Sequence, residues 1–262
     1  MYLNIKERTT FGRIADLYDK SRTSYSPELI MAILNFSKLD LQGNILDIGC
    51  GSGQASFLFA EKGFNVLGLD LSLDLINIAK EKSSSLKKVE FMHGSFENEE
   101  FQEKSFDLII SGMAWHWIEA ENRYLKIYKT LKENGTVAFF WSCQKTNDLN
   151  FINEMSNILD VYGGKNAGPA GSRVKELANK TYKELQDSKL FSNLEIKEYE
   201  DILDFSKERY SNLVLSYAWA QQLSLERQQE MLQNLEDAYK KYQKPLMIPY
   251  NYILILAKKN KV

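Results

Sequence analysis

Between Asn44 and Trp141, short apolar runs alternate with longer amphipathic stretches. Asn44–Ile48, Phe64–Leu69, Val89–Met92, Phe106–Ser111 and Thr136–Trp141 read as strands rich in Val, Ile, Leu and Phe. Several are apolar at successive positions, as strands covered by helices on both faces must be. Gly53–Lys62, Ser72–Ser83 and Glu119–Lys132 read as helices between them. In the second of these, Leu75, Ile76, Ile78 and Ala79 recur at helical spacing, and Ser72 is placed to cap the N-terminus. Strand–helix–strand repetition implies a parallel sheet whose ligands bind at the carboxyl ends of the strands.

The pattern changes after Ser142. Lys145–Asn150 is polar, and Gly163–Gly171 reads as a connection. Helices are expected over Phe151–Tyr162, Ser172–Lys189, Ser206–Ala220 and Leu225–Tyr242, with strands at Leu194–Tyr199 and Tyr250–Ala257. The total is seven strands.

Composition narrows the function classes. The 262 residues suit one core with an attached sub-domain, and 44% hydrophobic residues suffice for that core. Lys plus Arg number 33 against 35 Asp plus Glu, so the basic field that nucleic-acid binding demands is missing. No nucleic-acid partner is expected. Two cysteines, Cys50 and Cys143, and two histidines have no metal-type spacing, so no metal is expected. The charged N-terminus does not read as a signal peptide, and no apolar run approaches the roughly 20 residues that span a bilayer. A cytoplasmic protein with no membrane partner, monomeric or homodimeric, is the expectation.

The chemistry gathers where the strands end. The first strand runs into Leu46-Asp47-Ile48-Gly49-Cys50-Gly51-Ser52-Gly53-Gln54. Glycines at alternate positions let a ligand lie against bare backbone, facing the amides of a helix start. About 20 residues on, Asp70 ends the second strand, where an acid can accept from both hydroxyls of a ribose. A nucleoside-containing ligand follows. A dinucleotide site would use G-x-G-x-x-G; here the spacing is G-x-G-x-G, preceded by Asp47, which suits a cationic amine better than a pyrophosphate. An NAD-type oxidoreductase is therefore disfavoured.

LDIGCGSGQ, then VLGLDLS, FMHGSFE and FDLIISGMAWHWI, resemble in order and spacing the class I S-adenosylmethionine (SAM)-dependent methyltransferases across about 100 residues. FGRIADLYDKSRTSYSPELI and AWHWI are similar to the branch containing trans-aconitate methyltransferase. The resemblance implies an α/β, Rossmann-like, seven-stranded, mostly parallel sheet, its last strand antiparallel in a closing hairpin, with helices on both faces and a helical lid. It divides the chain into a lid segment (1–40), a SAM-binding core (41–145), a helical lid insertion (146–190) and the C-terminal part of the core with further lid helices (191–262).

The same resemblance implies SAM as cofactor, S-adenosylhomocysteine as product and a small-molecule methyl acceptor. Gly49, Gly51 and Gly53 would shape the loop around the methionine part, with Asp47 near its ammonium. Asp70 would hold the ribose and Leu71 pack on adenine, with Gly94, Ser95 and Phe96 along the adenine edge. Many relatives carry Asp at the Ser95 position, so the adenine contact differs here. Cys50, Gln54 and Ser111 complete the cofactor set. The stretch bearing Tyr18 and Arg22 would cross the pocket mouth, Arg22 pairing with the methionine carboxylate and Tyr18 lining the passage to the acceptor. Trp115, His116 and Trp117 follow the fourth strand, where the acceptor belongs. Each indole either contacts it or fills the core. His116 is a candidate general base, or else caps a helix or orients the loop. The expected reaction is methylation of a carboxylate or hydroxyl, against the alternative of a non-catalytic SAM-binding sensor or assembly protein.

Overall fold

The computed structural model describes residues 15–21, 24–144, 149–164, 171–217, 219–241 and 246–261. Seven strands, β1 Asn44–Ile48, β2 Asn65–Asp70, β3 Val89–His93, β4 Phe106–Gly112, β5 Leu131–Gln144, β6 Phe191–Phe205 and β7 Leu246–Lys259, form one sheet in the order β3-β2-β1-β4-β5-β7-β6. β1 to β5 are mutually parallel, whereas β7 runs antiparallel to β5 and to β6. The described helices are α1 Ala15–Ser21, α2 Pro27–Ser37, α3 Gln54–Ala60, α4 Leu73–Lys82, α5 Arg123–Thr130, α6 Leu149–Val161, α7 Gly171–Ser188, α8 Lys207–Leu215 and α9 Leu225–Tyr239.

Strand alternation sends successive side chains to opposite faces. Ile45, Val66, Leu108, Ile110, Phe140 and Leu254 meet α2, α3 and α4 on one face. Leu46, Ile48, Ile109, Phe139, Trp141 and Ile255 meet α5 and α7 on the other. The near-continuous apolar reading of β1 and β4 follows from this double cover. Ser72 caps α4 as expected, its hydroxyl accepting from the Leu75 amide at 3.3 Å.

Three expectations are revised. β6 and β7 pair antiparallel with α8 and α9 between them, as expected, but the strands are longer than expected. Their pairing runs from Phe191–Lys259 to Phe205–Leu246, well beyond the apolar runs that announced them. β6 is an edge strand, and its extension carries the acidic Glu200 and Asp201, because an edge is held by backbone pairing and faces water. Second, α7 is not part of a lid over the strand ends: Val174, Ala178 and Leu185 pack into the core against the sheet. Third, α5 starts at Arg123 instead of Glu119, because Trp115–Trp117 forms a separate 3-10 turn after β4.

Candidate active site

The reversal of strand order lies between β1 and β4, and a cavity of about 190 Å³ opens at their carboxyl ends. Its walls come from four strand ends: Ile48-Gly49 and Gly51, Leu69-Asp70-Leu71, Gly94-Ser95-Phe96, and Gly112-Met113-Ala114. His116, Trp117 and Ile118 close one side, and Leu75 reaches in from α4.

The glycine loop is shaped by close approach. Gly49 has φ +71°, and a Cβ there would stand 2.3 Å from the Cβ of Ala114. The loop after β1 and the loop after β4 therefore touch at a point where only glycine fits. Gly49 and Cys50 amides both donate to the Leu69 carbonyl, at 2.7 and 3.1 Å, tying the loop to β2. Gly51, at φ +58°, donates its amide to Asp70 Oδ2 at 2.8 Å, and Ser72 donates its amide to Asp70 Oδ1 at the same distance. Asp70 is thus held by both elements that bracket the cavity.

The other residues expected at the site divide into wall and support. Gly49, Gly51, Asp70, Leu71, Gly94, Ser95, Phe96, His116 and Trp117 line the cavity. Ser95 Oγ accepts from the Asn98 amide at 3.3 Å, which turns it into its own loop. Asp47, Cys50, Gly53, Gln54, Ser111 and Trp115 are not among the lining residues. Asp47 lies buried behind the loop and accepts from Ser56 Oγ at 2.6 Å; burial, with Asp70 nearby, pushes its carboxyl up to about 7. It supports α3, where the expectation placed it beside an ammonium. The buried Cys50 thiol is pushed far up by desolvation and by Asp70 and Asp47, so it is no nucleophile. Gly53 is the left-handed N-cap of α3, and Gln54 donates to Ser52 Oγ at 2.7 Å. Ser111 Oγ donates to the Ile48 carbonyl at 2.7 Å, joining β4 to β1 beneath the cavity.

The two indoles separate. Trp115 is fully buried, stacked on Phe139 with centroids 4.4 Å apart, and its Nε1 donates to Tyr124 Oη at 3.1 Å. It is a core residue, so the idea that it touches an acceptor is withdrawn. Trp117 is on the wall, against the His116 ring at 4.6 Å. Met113, read from sequence as mere packing, also lines the cavity. It takes a left-handed φ of +57°, and its sulfur accepts from the Ser142 amide at 3.0 Å. A strained non-glycine backbone at a cavity wall is a mark of function that sequence cannot display. Arg22 lies outside the described residues, and of Tyr18 only the backbone in α1 is described. That helix is tied to the loop, because Asp19 Oδ1 accepts from Ser52 Oγ at 2.6 Å and pairs with Lys82 at 2.7 Å. Among the described residues no cluster of metal ligands occurs, and no helix is long and apolar enough to cross a membrane.

A protein family described as "Methyltransferase domain" matches residues 46–139, from β1 into β5. Over that stretch the chain is similar to methyltransferase domains. It is 30% identical to "Probable S-adenosylmethionine-dependent methyltransferase CRG1" of Saccharomyces cerevisiae, over 48% of this chain and 45% of that one. It is 31% identical to the malonyl-[acyl-carrier protein] O-methyltransferase of Pectobacterium atrosepticum, over 49% of this chain and 50% of that one. The chain thus spans about half the length of these two relatives. Among solved structures, phosphoethanolamine N-methyltransferase 2 of Haemonchus contortus in complex with SAM superposes with a TM-score of 0.56 at 17% identity. That alignment covers 97% of this chain and 57% of that one, a likeness of fold.

Proposed function

We propose that the protein is an enzyme that transfers the methyl group of SAM to an oxygen of a small-molecule acceptor. The observation that carries this reading is Asp70, held by the Gly51 and Ser72 amides in the wall of a cavity that the backbone of Gly49 and Gly51 also lines.

The residues present fit the cofactor. Asp70 would accept from the ribose hydroxyls, Leu71 and Phe96 would flank the adenine, and the Gly49–Gly51 backbone would carry the methionine part. The cradle at Gly49 is one that a single Cβ would disrupt. Arg22 is assigned to the methionine carboxylate, a reading supported by the tie between α1 and the glycine loop through Asp19 and Ser52. When bound, SAM supplies a methyl group on a sulfonium that departs as a neutral thioether. What remains for the chain is to align and dry the reacting atoms. Ile48, Leu69, Met113, Ile118 and Trp117 give the cavity a largely apolar wall for that purpose. An oxygen acceptor is supported by the likeness of the AWHWI segment to the trans-aconitate branch and by the O-methylating relative.

Two measurements test the proposal. Calorimetric titration with S-adenosylhomocysteine should show one site per chain, whereas NAD should not bind. Incubation with methyl-labelled SAM and a metabolite extract should move label into a small-molecule fraction, most of it released by alkaline hydrolysis where the product is an ester. Binding of NAD in place of S-adenosylhomocysteine would overturn the cofactor assignment. Binding without label transfer from any extract would turn the reading toward a non-catalytic role.

A further inference from the structure

His116 sits on the wall beside Met113 and Trp117, and it also borders a second cavity lined by Glu119, Tyr124 and Glu184. Toward the core, Nδ1 lies 3.1 Å from Nε1 of Trp141, a fully buried residue of β5. An indole N–H only donates. Nδ1 must therefore be the accepting nitrogen, and a neutral imidazole then carries its hydrogen on Nε2. Among the described residues no group accepts from that Nε2–H.

The surroundings keep the ring neutral. Burial, joined by the guanidiniums of Arg173 on α7 and Arg123 on α5, pushes the His116 imidazole down to about 4. Arg123 is itself paired with Glu184, and Trp141 and Trp117 bring no charge. At neutral pH the ring thus has one basic nitrogen, and that nitrogen is engaged by a donor from the core. The proton-accepting role that sequence suggested for His116 has no nitrogen to perform it.

We propose that Trp141 locks His116 in its Nε2–H tautomer, so that His116 presents to the methyl acceptor a fixed hydrogen-bond donor and not a base. This rests on the methyltransferase reading and deepens it. It selects acceptors that bring a hydrogen-bond-accepting oxygen to His116 and need no proton removed by the enzyme, such as a carboxylate. An acceptor oxygen then bonds to the methyl carbon as the methyl–sulfur bond breaks, its electron pair passing to sulfur, with no proton lost. Phenols and ammonium groups, which must shed a proton, are disfavoured. Trp141 acts as a positioning residue through His116.

The chain has two histidines, so the test is direct. Protein labelled with ring-¹⁵N histidine, in complex with S-adenosylhomocysteine at pH 7, should show a protonated Nε2 and an unprotonated Nδ1 for His116. The His93→Gln variant assigns the second ring. Trp141→Phe should lose that pattern and show mixed tautomers. In the labelled-SAM assay with metabolite extract, His116→Gln, which keeps a donor but no base, should stay within about threefold of wild type. His116→Ala, which loses the hydrogen-bond donor, should fall about tenfold or more. A protonated Nδ1, or a Gln variant as inactive as the Ala variant, would overturn the proposal. Absence of label transfer by the wild-type protein would defeat the methyltransferase reading instead, while the tautomer measurement would still decide the lock.

Discussion

The two halves of the cavity are built from different materials. The half formed by the ends of β1, β2 and β3 is mostly backbone: glycines at left-handed φ, amides turned on one carboxylate, and short bonds between loops. The half formed by residues 113–118 after β4 is mostly side chain: a thioether, an imidazole and an indole, set by a left-handed Met113 and a 3-10 turn. Backbone recognition depends on spacing along the chain, and suits a ligand shared by many proteins. Side-chain recognition depends on what packs behind each group, and suits a ligand particular to one protein. On the proposed function, the first half would hold the cofactor and the second would choose the acceptor.

The largest expected effect breaks the boundary between the halves. Gly49→Ala puts a Cβ 2.3 Å from Ala114, at a φ of +71° that alanine resists. The clash falls on the acceptor loop although the change is in the cofactor loop. S-adenosylhomocysteine affinity should drop by about 100-fold or more, with the fold retained, since strain of this type costs on the order of 1–3 kcal/mol before the displaced loop is counted. Calorimetry together with circular dichroism decides it, and unchanged affinity would mean that the loops do not meet in solution. Asp70→Ala should weaken the same affinity by about 10–100-fold, the value of a charged acceptor lost from a ribose. Little change there, with Gly49→Ala still damaging, would reassign Asp70 to loop stabilisation alone.

These contrasts explain what could be read in advance. The parallel strands with helices on both faces, the glycine loop and the place of Asp70 at the end of β2 were announced by periodicity and by spacing. They depend on local backbone geometry, which residue types encode directly. The acceptor half was not. Trp115 and Trp117 are two positions apart and chemically identical, yet one is stacked on Phe139 in the core and the other lines the cavity. Only the 3-10 turn that rotates them apart decides this, and it leaves no mark in the pattern. His116 read as a possible base because its partner Trp141 lies 25 positions away on another strand. Asp47 read as a ligand for the same reason, its partner Ser56 being out of view on α3.

A smaller effect sharpens the joint between the halves. Ser111 Oγ reaches from β4 to the Ile48 carbonyl, beneath the point where the loops meet. Ser111→Ala should cost about 1–2 kcal/mol of stability by loss of one buried hydrogen bond. Urea unfolding measures this. If the two halves are set independently, S-adenosylhomocysteine affinity should hold while the tautomer signal of His116 is also unmoved; a change in both would show that β4 transmits between them.

The smallest effect distinguishes the halves by the sign of a pH slope. His116 is held at about 4, below its ordinary 6.5, so the folded chain binds fewer protons than the unfolded one between those values. That contribution to stability is whole above pH 6.5 and is lost as pH falls toward 4. Asp47 is held at about 7, above its ordinary 3.8, so here the folded chain binds more protons. Its contribution is whole below pH 3.8 and is lost as pH rises toward 7. Between pH 4 and 6.5 the two groups therefore oppose each other and nearly cancel in the wild-type protein. Each alone is worth at most about 1.4 kcal/mol per pH unit. Asp47→Asn keeps an acceptor for Ser56 and removes the falling slope, so its stability should rise with pH relative to wild type. His116→Gln removes the rising slope, so its stability should fall with pH relative to wild type. Urea unfolding at pH 5 and pH 6 for the three proteins reads both differences, and other titrating groups drop out of the comparison. Slopes that shift in the same direction for both variants would mean that one of the two groups is not held as its surroundings dictate, and the Asp47 variant shows which. If its slope matches wild type, the carboxyl behind the glycine loop is solvated in solution, and the support it gives α3 through Ser56 is that of an ordinary surface acid.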